Sequence, residues 1–226
     1  MNVLYVGSGH SANLVSQLDL TKYTICCANN SWRLFEDGVD VCAWIHSGDF
    51  PTPNRPSKDR KEKYQYEVSH NDYDSSMRNI CEKMGYEPKS PMHHLGYTVF
   101  FAGLYWIADT LKPKKVSLLG FDHDYDSDKT KKWMEAGQPS PQNIWKEQKS
   151  YNQNVEEFFE GTKTDHFYGQ GTPDPMRIGE KVLIEKFELA KATFLKLNIE
   201  LVNISPLDSK INTVKREIGD YLNYES

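Results

Sequence analysis

The chain has 226 residues, room for one sizeable α/β domain and too little for two full ones. Hydrophobic residues make up 38 % and aromatics 12 %, so a core can form, and no apolar run approaches the ~20 residues of a membrane helix. The net charge of −5 argues against a general nucleic-acid coat, while leaving room for a local basic patch.

Residues 2–6, NVLYV, read as a short buried strand. No basic segment with an apolar core precedes it, so a cytoplasmic chain without a secretory leader is expected. GSGHSA follows: Gly7, Gly9 and Ala12 fit the G-x-G-x-x-G/A pattern, with a helix expected from about Ser11. In a strand–glycine–helix unit, backbone approaches a pyrophosphate and the helix start offers unpaired N–H groups. Ser8 and Ser11 add hydroxyls. The pattern alone also suits a plain tight turn.

Residues 23–28 (YTICCA) and 39–45 (VDVCAWI) read as two more strands of a sheet buried on both faces. Cys26 and Cys27 are adjacent on the first, so they point to opposite faces. With Cys42 and Cys81 they read as buried thiols in a reducing cytoplasm. A dinucleotide site calls for an acidic residue at the end of the second strand. Asn29 and Asn30 stand there instead. Their amides donate and accept without charge, which suits a pyrimidine edge or a ribose.

Residues 47–71 carry three prolines and dense charge and read as a flap insertion. Arg55, Lys58, Arg60 and Lys61 crowd it beside Tyr64 and Tyr66, a composition that can meet a DNA backbone or simply be solvated. Residues 96–111 read as one buried helix, and 115–119 (KVSLL) as the next strand. GFDHDYDSD follows. Asp122 and Asp124 form a D-x-D pair able to hold Mg²⁺ or Mn²⁺ against a diphosphate. Residues 143–160 read as a helix, 161–175 as a loop, 179–197 as an amphipathic helix and 199–204 as the last strand. Strands alternating with helices indicate a single α/β domain over 1–226, a Rossmann-like, doubly wound, mostly parallel sheet. Sugar transfer needs a base for the acceptor hydroxyl, and Asp122, Asp124 and His166 are the candidates.

VLYVGSGHS, CCANNSWRLFED, CAWIHSGDF, HLGYTVFFAGLYWIADTLKPKKVSLLGFD, DHFYGQGTPD and IELVNISPLDS, in that order, resemble the bacterial sialyltransferases that cap lipooligosaccharide. The resemblance implies a glycosyltransferase Rossmann-type domain that holds a cytidine nucleotide sugar. It would place Ser8 and Gly9 at the donor phosphate or ribose and Asn29 or Asn30 at the base. His46 would stand in a second asparagine slot, Gly96 and Tyr97 at the start of the helix facing the donor, and Asp122 in the G-I-D turn. Gln170 stands where that family has its catalytic histidine, Asp124 where it has the first phosphate-holding tyrosine, and MHHLG where it has an arginine. These departures point away from sialic acid as the sugar. The start YVGSGHSANL…CCANNSW also resembles small phage glycosyltransferases that place a sugar such as arabinose on hydroxylated cytosine in DNA. The expectation is a transferase using a UDP- or CMP-linked sugar, with such a base as acceptor. The alternatives are a sialyltransferase-like enzyme acting on a glycan, and a non-enzymatic nucleotide-binding or phage morphogenesis factor.

Overall fold

The computed structural model describes residues 1–35, 38–47, 55–96, 98–122, 165–166, 169–170, 180–205 and 214–215. Its centre is an all-parallel sheet of β1 (Asn2–Val6), β2 (Thr24–Ala28), β3 (Val41–Ile45), β4 (Tyr66–Val68), β5 (Lys115–Leu119) and β8 (Glu200–Asn203), extended at one edge by the two-residue β9 (Val214–Lys215). The spatial order is β4-β3-β2-β1-β5-β8-β9. Strands are added in one direction from β1 to β4 and in the other from β5 onward. The reversal lies between β1 and β5, the Rossmann-like arrangement. A separate antiparallel pair joins β6 (Asp165–His166) to β7 (Gly169–Gln170).

The same reversal sends the connections to opposite faces. One face carries α2 (His70–Met84), α3 (Pro91–Leu95), α4 (Val99–Trp106) and α5 (Glu180–Lys196); the other carries 3-10 helices at His10–Gln17 and Asn29–Leu34. Both faces are covered, so β1 is buried from Val3 to Val6: Val3 and Tyr5 serve the helical face, Leu4 and Val6 the other.

Four elements differ from expectation. The helix after the glycines is 3-10, not α, and starts at His10. Its buried apolar positions, Ala12, Val15 and then Leu18, recur every third residue, the period of a 3-10 helix. The flap contains a short helix, α1 (Lys58–Lys61), and its later part enters the sheet as β4. The single helix expected over 96–111 is interrupted: Gly96, at φ +112°, ends α3 after Leu95, α4 begins at Val99, and Ile107–Leu111 forms a π-helical turn. Finally, β9 follows what was expected to be the last strand.

α2 had no counterpart in the sequence reading. A reciprocal Ser69–Asp72 capping box starts it, Gly85 at φ +69° stops it, and Tyr73, Met77, Ile80 and Cys81 are buried at helical spacing. The helix expected over 143–160, Asp124 and Tyr97 lie outside the described residues.

Candidate functional site at the carboxyl ends of the strands

In open α/β sheets ligands bind at the carboxyl ends of the strands, at the point where the strand order reverses. Here that point lies between the loops leaving β1 and β5, and the two are tied together. Gly7 N–H donates to Leu119 O at 2.8 Å, and Gly9 N–H to Gly120 O at 2.7 Å. Ser11 N–H donates to Asp122 Oδ2 at 3.0 Å, and the Ser11 hydroxyl donates to Asp122 Oδ1. The Ser11 and Ser205 hydroxyls are 2.9 Å apart, and Gly120 N–H reaches both, at 3.1 and 3.3 Å. Ser205, on the turn after β8, is held in turn by Asn203, whose Oδ1 accepts from Ser205 N–H at 3.1 Å.

This network gives Ser11 and Asp122 a definite role. A carboxylate at a helix start meets free N–H groups and positive potential, the situation expected for a bound anion. Asp122 fills that position at the 3-10 helix. Ser11 was expected to face a donor phosphate; it faces Asp122 instead and is 2 % exposed. Asp122 was expected as a base or metal ligand; both its oxygens are engaged by Ser11, and the residue is buried. Alternate amides of the loop, at positions 7, 9 and 11, are all committed to the β5 side. Ser8 is half-buried.

Across β1 from that network lies the asparagine pair. Asn29 sits at φ +49°, and its backbone oxygen accepts from Trp44 Nε1–H at 2.8 Å. The buried Ser31 hydroxyl reaches Val6 O at 2.7 Å and Ala28 O at 2.9 Å, fixing this turn against the end of β1. The side-chain oxygens of Asn29 and Asn30 are buried, and neither has a hydrogen-bond partner among the described residues. An acceptor stripped of water without a partner costs on the order of 1–3 kcal/mol. Two such oxygens stand in succession at the end of β2.

His46, at the end of β3, is 4 % exposed and stacks on Trp44 with ring centroids 4.1 Å apart. Its Nδ1 is 2.8 Å from Ser47 O, and its Nε2 is 3.4 Å from Glu67 Oε1. Burial holds its pKa below the usual histidine value, with Arg55 a smaller contributor in the same direction. A depressed histidine pKa leaves stability intact above the unfolded value, ~6.5, and removes it as pH falls toward the folded value. We expect His46→Gln to flatten the loss of stability below pH ~6.5; urea midpoints across a pH series check this, and an unchanged acid slope would count against a neutral buried imidazole.

The structure brings Ser8, Gly9, Asn29, Asn30 and His46 to neighbouring strand ends. Gly96 closes α3 on the helical face, packed against Phe101. Thr98, at the start of α4, was not singled out from the sequence; its hydroxyl is buried and has no partner among the described residues. Ser205 was also missed: a serine after a strand carries no local signal, and its role arises only through contact with the glycine loop. His166 and Gln170 fall on the β6–β7 pair. Among the described residues, no group of three His, Cys, Asp or Glu is placed to hold a metal ion.

Of the flap's cations, Arg60 and Lys61 are engaged within the domain. Arg60 donates to Trp32 O at 3.3 Å and to Phe35 O, reaches Tyr64 Oη at 3.2 Å, and lies 5.0 Å from the centre of the Trp32 ring. Lys61 pairs with Glu67 at 2.8 Å and lies 5.0 Å from the centre of the Trp44 ring. These two cations hold the flap to the domain rather than facing outward. Lys58 projects into solvent, its side chain 88 % exposed, with Glu62 3.8 Å away. Arg60→Ala is expected to cost about 1–3 kcal/mol by stripping two carbonyls of a charged donor. A melting temperature equal to wild type would show the clasp to be dispensable.

No helix among the described residues is long and apolar enough to cross a membrane. Comparison with protein-family models, with curated proteins and with solved structures finds no match.

Proposed function

We propose that the chain is a glycosyltransferase that takes its sugar from a pyrimidine nucleotide donor. The observation that carries this reading is the pair of buried asparagine oxygens, without partners among the described residues, at the end of β2, one strand from the glycine loop. A pyrimidine offers N–H donors to such oxygens, from a ring nitrogen or an exocyclic amine. The uncharged pair also suits this use better than the acidic residue that a nicotinamide dinucleotide calls for. Donor phosphates would approach from the Ser8 side of the loop, since the amides at 7, 9 and 11 are taken.

The favoured acceptor is a hydroxylated cytosine in DNA, from the phage resemblance of YVGSGHSANL…CCANNSW together with the exposed Lys58 on the flap. Such an enzyme would have to draw its target base out of the duplex. A specific observation favours a second reading, a nucleotide-binding protein without transfer activity: Asp122, the best-placed carboxylate, is bound to Ser11.

Thermal shift with UDP, CMP, UDP-sugars and NAD tests the donor. Stabilisation by a pyrimidine nucleotide supports the reading, and stabilisation by NAD alone ends it. Nucleoside mass spectrometry of hydroxylated DNA incubated with protein and donors separates transfer from mere binding. Asn30→Ala and Asn29→Ala should each weaken pyrimidine nucleotide binding, by about 1–3 kcal/mol where the contact is lost. The larger loss is expected at Asn30, the more buried of the two. Titration calorimetry with both variants matching wild type would remove the base from this place.

A further inference from the structure

The β2–β3 pair carries a second chemistry, independent of nucleotide binding. Ile25 pairs with Val41, but Cys26 pairs with Ala43, so Cys42 is the extra residue of a β-bulge. A bulge sets two consecutive residues of one strand against one residue of its neighbour. Cys42 is thereby brought beside Cys26, close enough for the two thiols to act on each other's ionisation. Residues on neighbouring strands, whose axes are about 4.8 Å apart in general, can come within the Cα separation of about 4.4–6.8 Å that a disulfide spans.

The two thiols differ in surroundings. Cys26 is 0 % exposed, within the core of the helical face. Cys42 is partly exposed, because β4 begins to pair only at Ala43; its sulfur lies 3.6 Å from Gln65 Oε1. The Cys26 side chain holds the pKa of Cys42 below the ordinary thiol value, and burial pushes that of Cys26 well above it. Cys27 belongs to the opposite face, and Cys81 lies on α2, its thiol pKa raised by burial. The expectation of four buried thiols therefore fails at Cys42, which is partly exposed.

We propose that Cys42 and Cys26 form a peroxide-responsive dithiol site, in which Cys42 is the attacking thiol, Cys26 the resolving thiol, and an intrachain disulfide across the bulge the product. The Cys42 thiolate attacks one oxygen of hydrogen peroxide. A sulfur–oxygen bond forms, the oxygen–oxygen bond breaks, and the departing hydroxide takes up the proton Cys42 released, giving water. The Cys26 sulfur then attacks the Cys42 sulfenic sulfur. The sulfur–sulfur bond forms as the sulfur–oxygen bond breaks, and the Cys26 proton leaves with the hydroxyl as a second water. Two thiols are oxidised by two electrons in total, and one peroxide is reduced.

The test is peroxide titration of the full chain, read by intact mass and peptide mapping. The expected product lacks two hydrogens, links the peptides carrying Cys26 and Cys42, and reverts with dithiothreitol. Cys26→Ser should stop at a sulfenic acid on Cys42, trapped by dimedone, and Cys42→Ser should form no intrachain bridge. A wild-type chain that keeps its mass, oxidises first at Cys27 or Cys81, or links only to a second copy would overturn the proposal without needing either variant to fold.

Discussion

Gly7→Ala is expected to lower stability by about 3 kcal/mol, the upper part of the range for overpacking a filled core. For a chain of this length that is a fall of about 6–12 °C in melting temperature. A methyl group on Gly7 would stand 2.4 Å from Gly120 O and 2.7 Å from the Phe121 ring. Neither neighbour has room to yield. Gly120 is itself hydrogen bonded to Gly9, Ser11 and Ser205. Phe121 is wedged between Tyr5 and Phe100, with ring centroids 4.6 and 4.7 Å away. Gly38→Ala is the matched control, because nothing lies within 4 Å of a methyl group there. Thermal melts of the two variants decide the matter: equal values would show that the β1 and β5 loops do not approach this closely. The first glycine of the motif thus has a reason to be glycine before any ligand arrives.

Asp122→Ala should cost a similar amount, about 3 kcal/mol, since it leaves two buried donors of Ser11 without their charged acceptor. Asp122→Asn should cost less, because one carbonyl oxygen remains to accept. In a double-mutant cycle with Ser11→Ala, a coupling of at least ~1 kcal/mol is expected for groups in direct contact. The cycle also separates two roles for Asp122. A carboxylate serving only as a base would lose transfer activity on substitution and leave the melting temperature unchanged. Additive stability effects would remove the strap between the β1 and β5 loops.

Much of the sheet was legible in the sequence because its strands are local objects. YTICCA, VDVCAWI and KVSLL are short apolar runs, and a strand covered on both faces has no polar side to show. β4 was hidden for the opposite reason: it is three residues at an edge, embedded in a charged stretch, and only its pairing with Ala43–Ile45 makes it a strand. α2 was visible in principle, since Ser69, Asp72 and Gly85 are ordinary start and stop signals around buried positions at helical spacing.

What the sequence determined by itself was the alternation of strands with helical segments, the glycine loop after β1, and the replacement of an acidic residue by Asn29 and Asn30. Those follow from periodicity and residue type over a few neighbouring positions. The tertiary structure alone decided that Ser11 belongs to Asp122, 111 residues away, and to Ser205, 194 residues away. It alone turned Arg60 inward, onto Trp32 and Phe35, 28 and 25 residues back. It alone set Cys42 against Cys26. Residue type says which bonds a side chain can make; the strand order decides which partner is there to make them, and that order is fixed by packing across the whole chain.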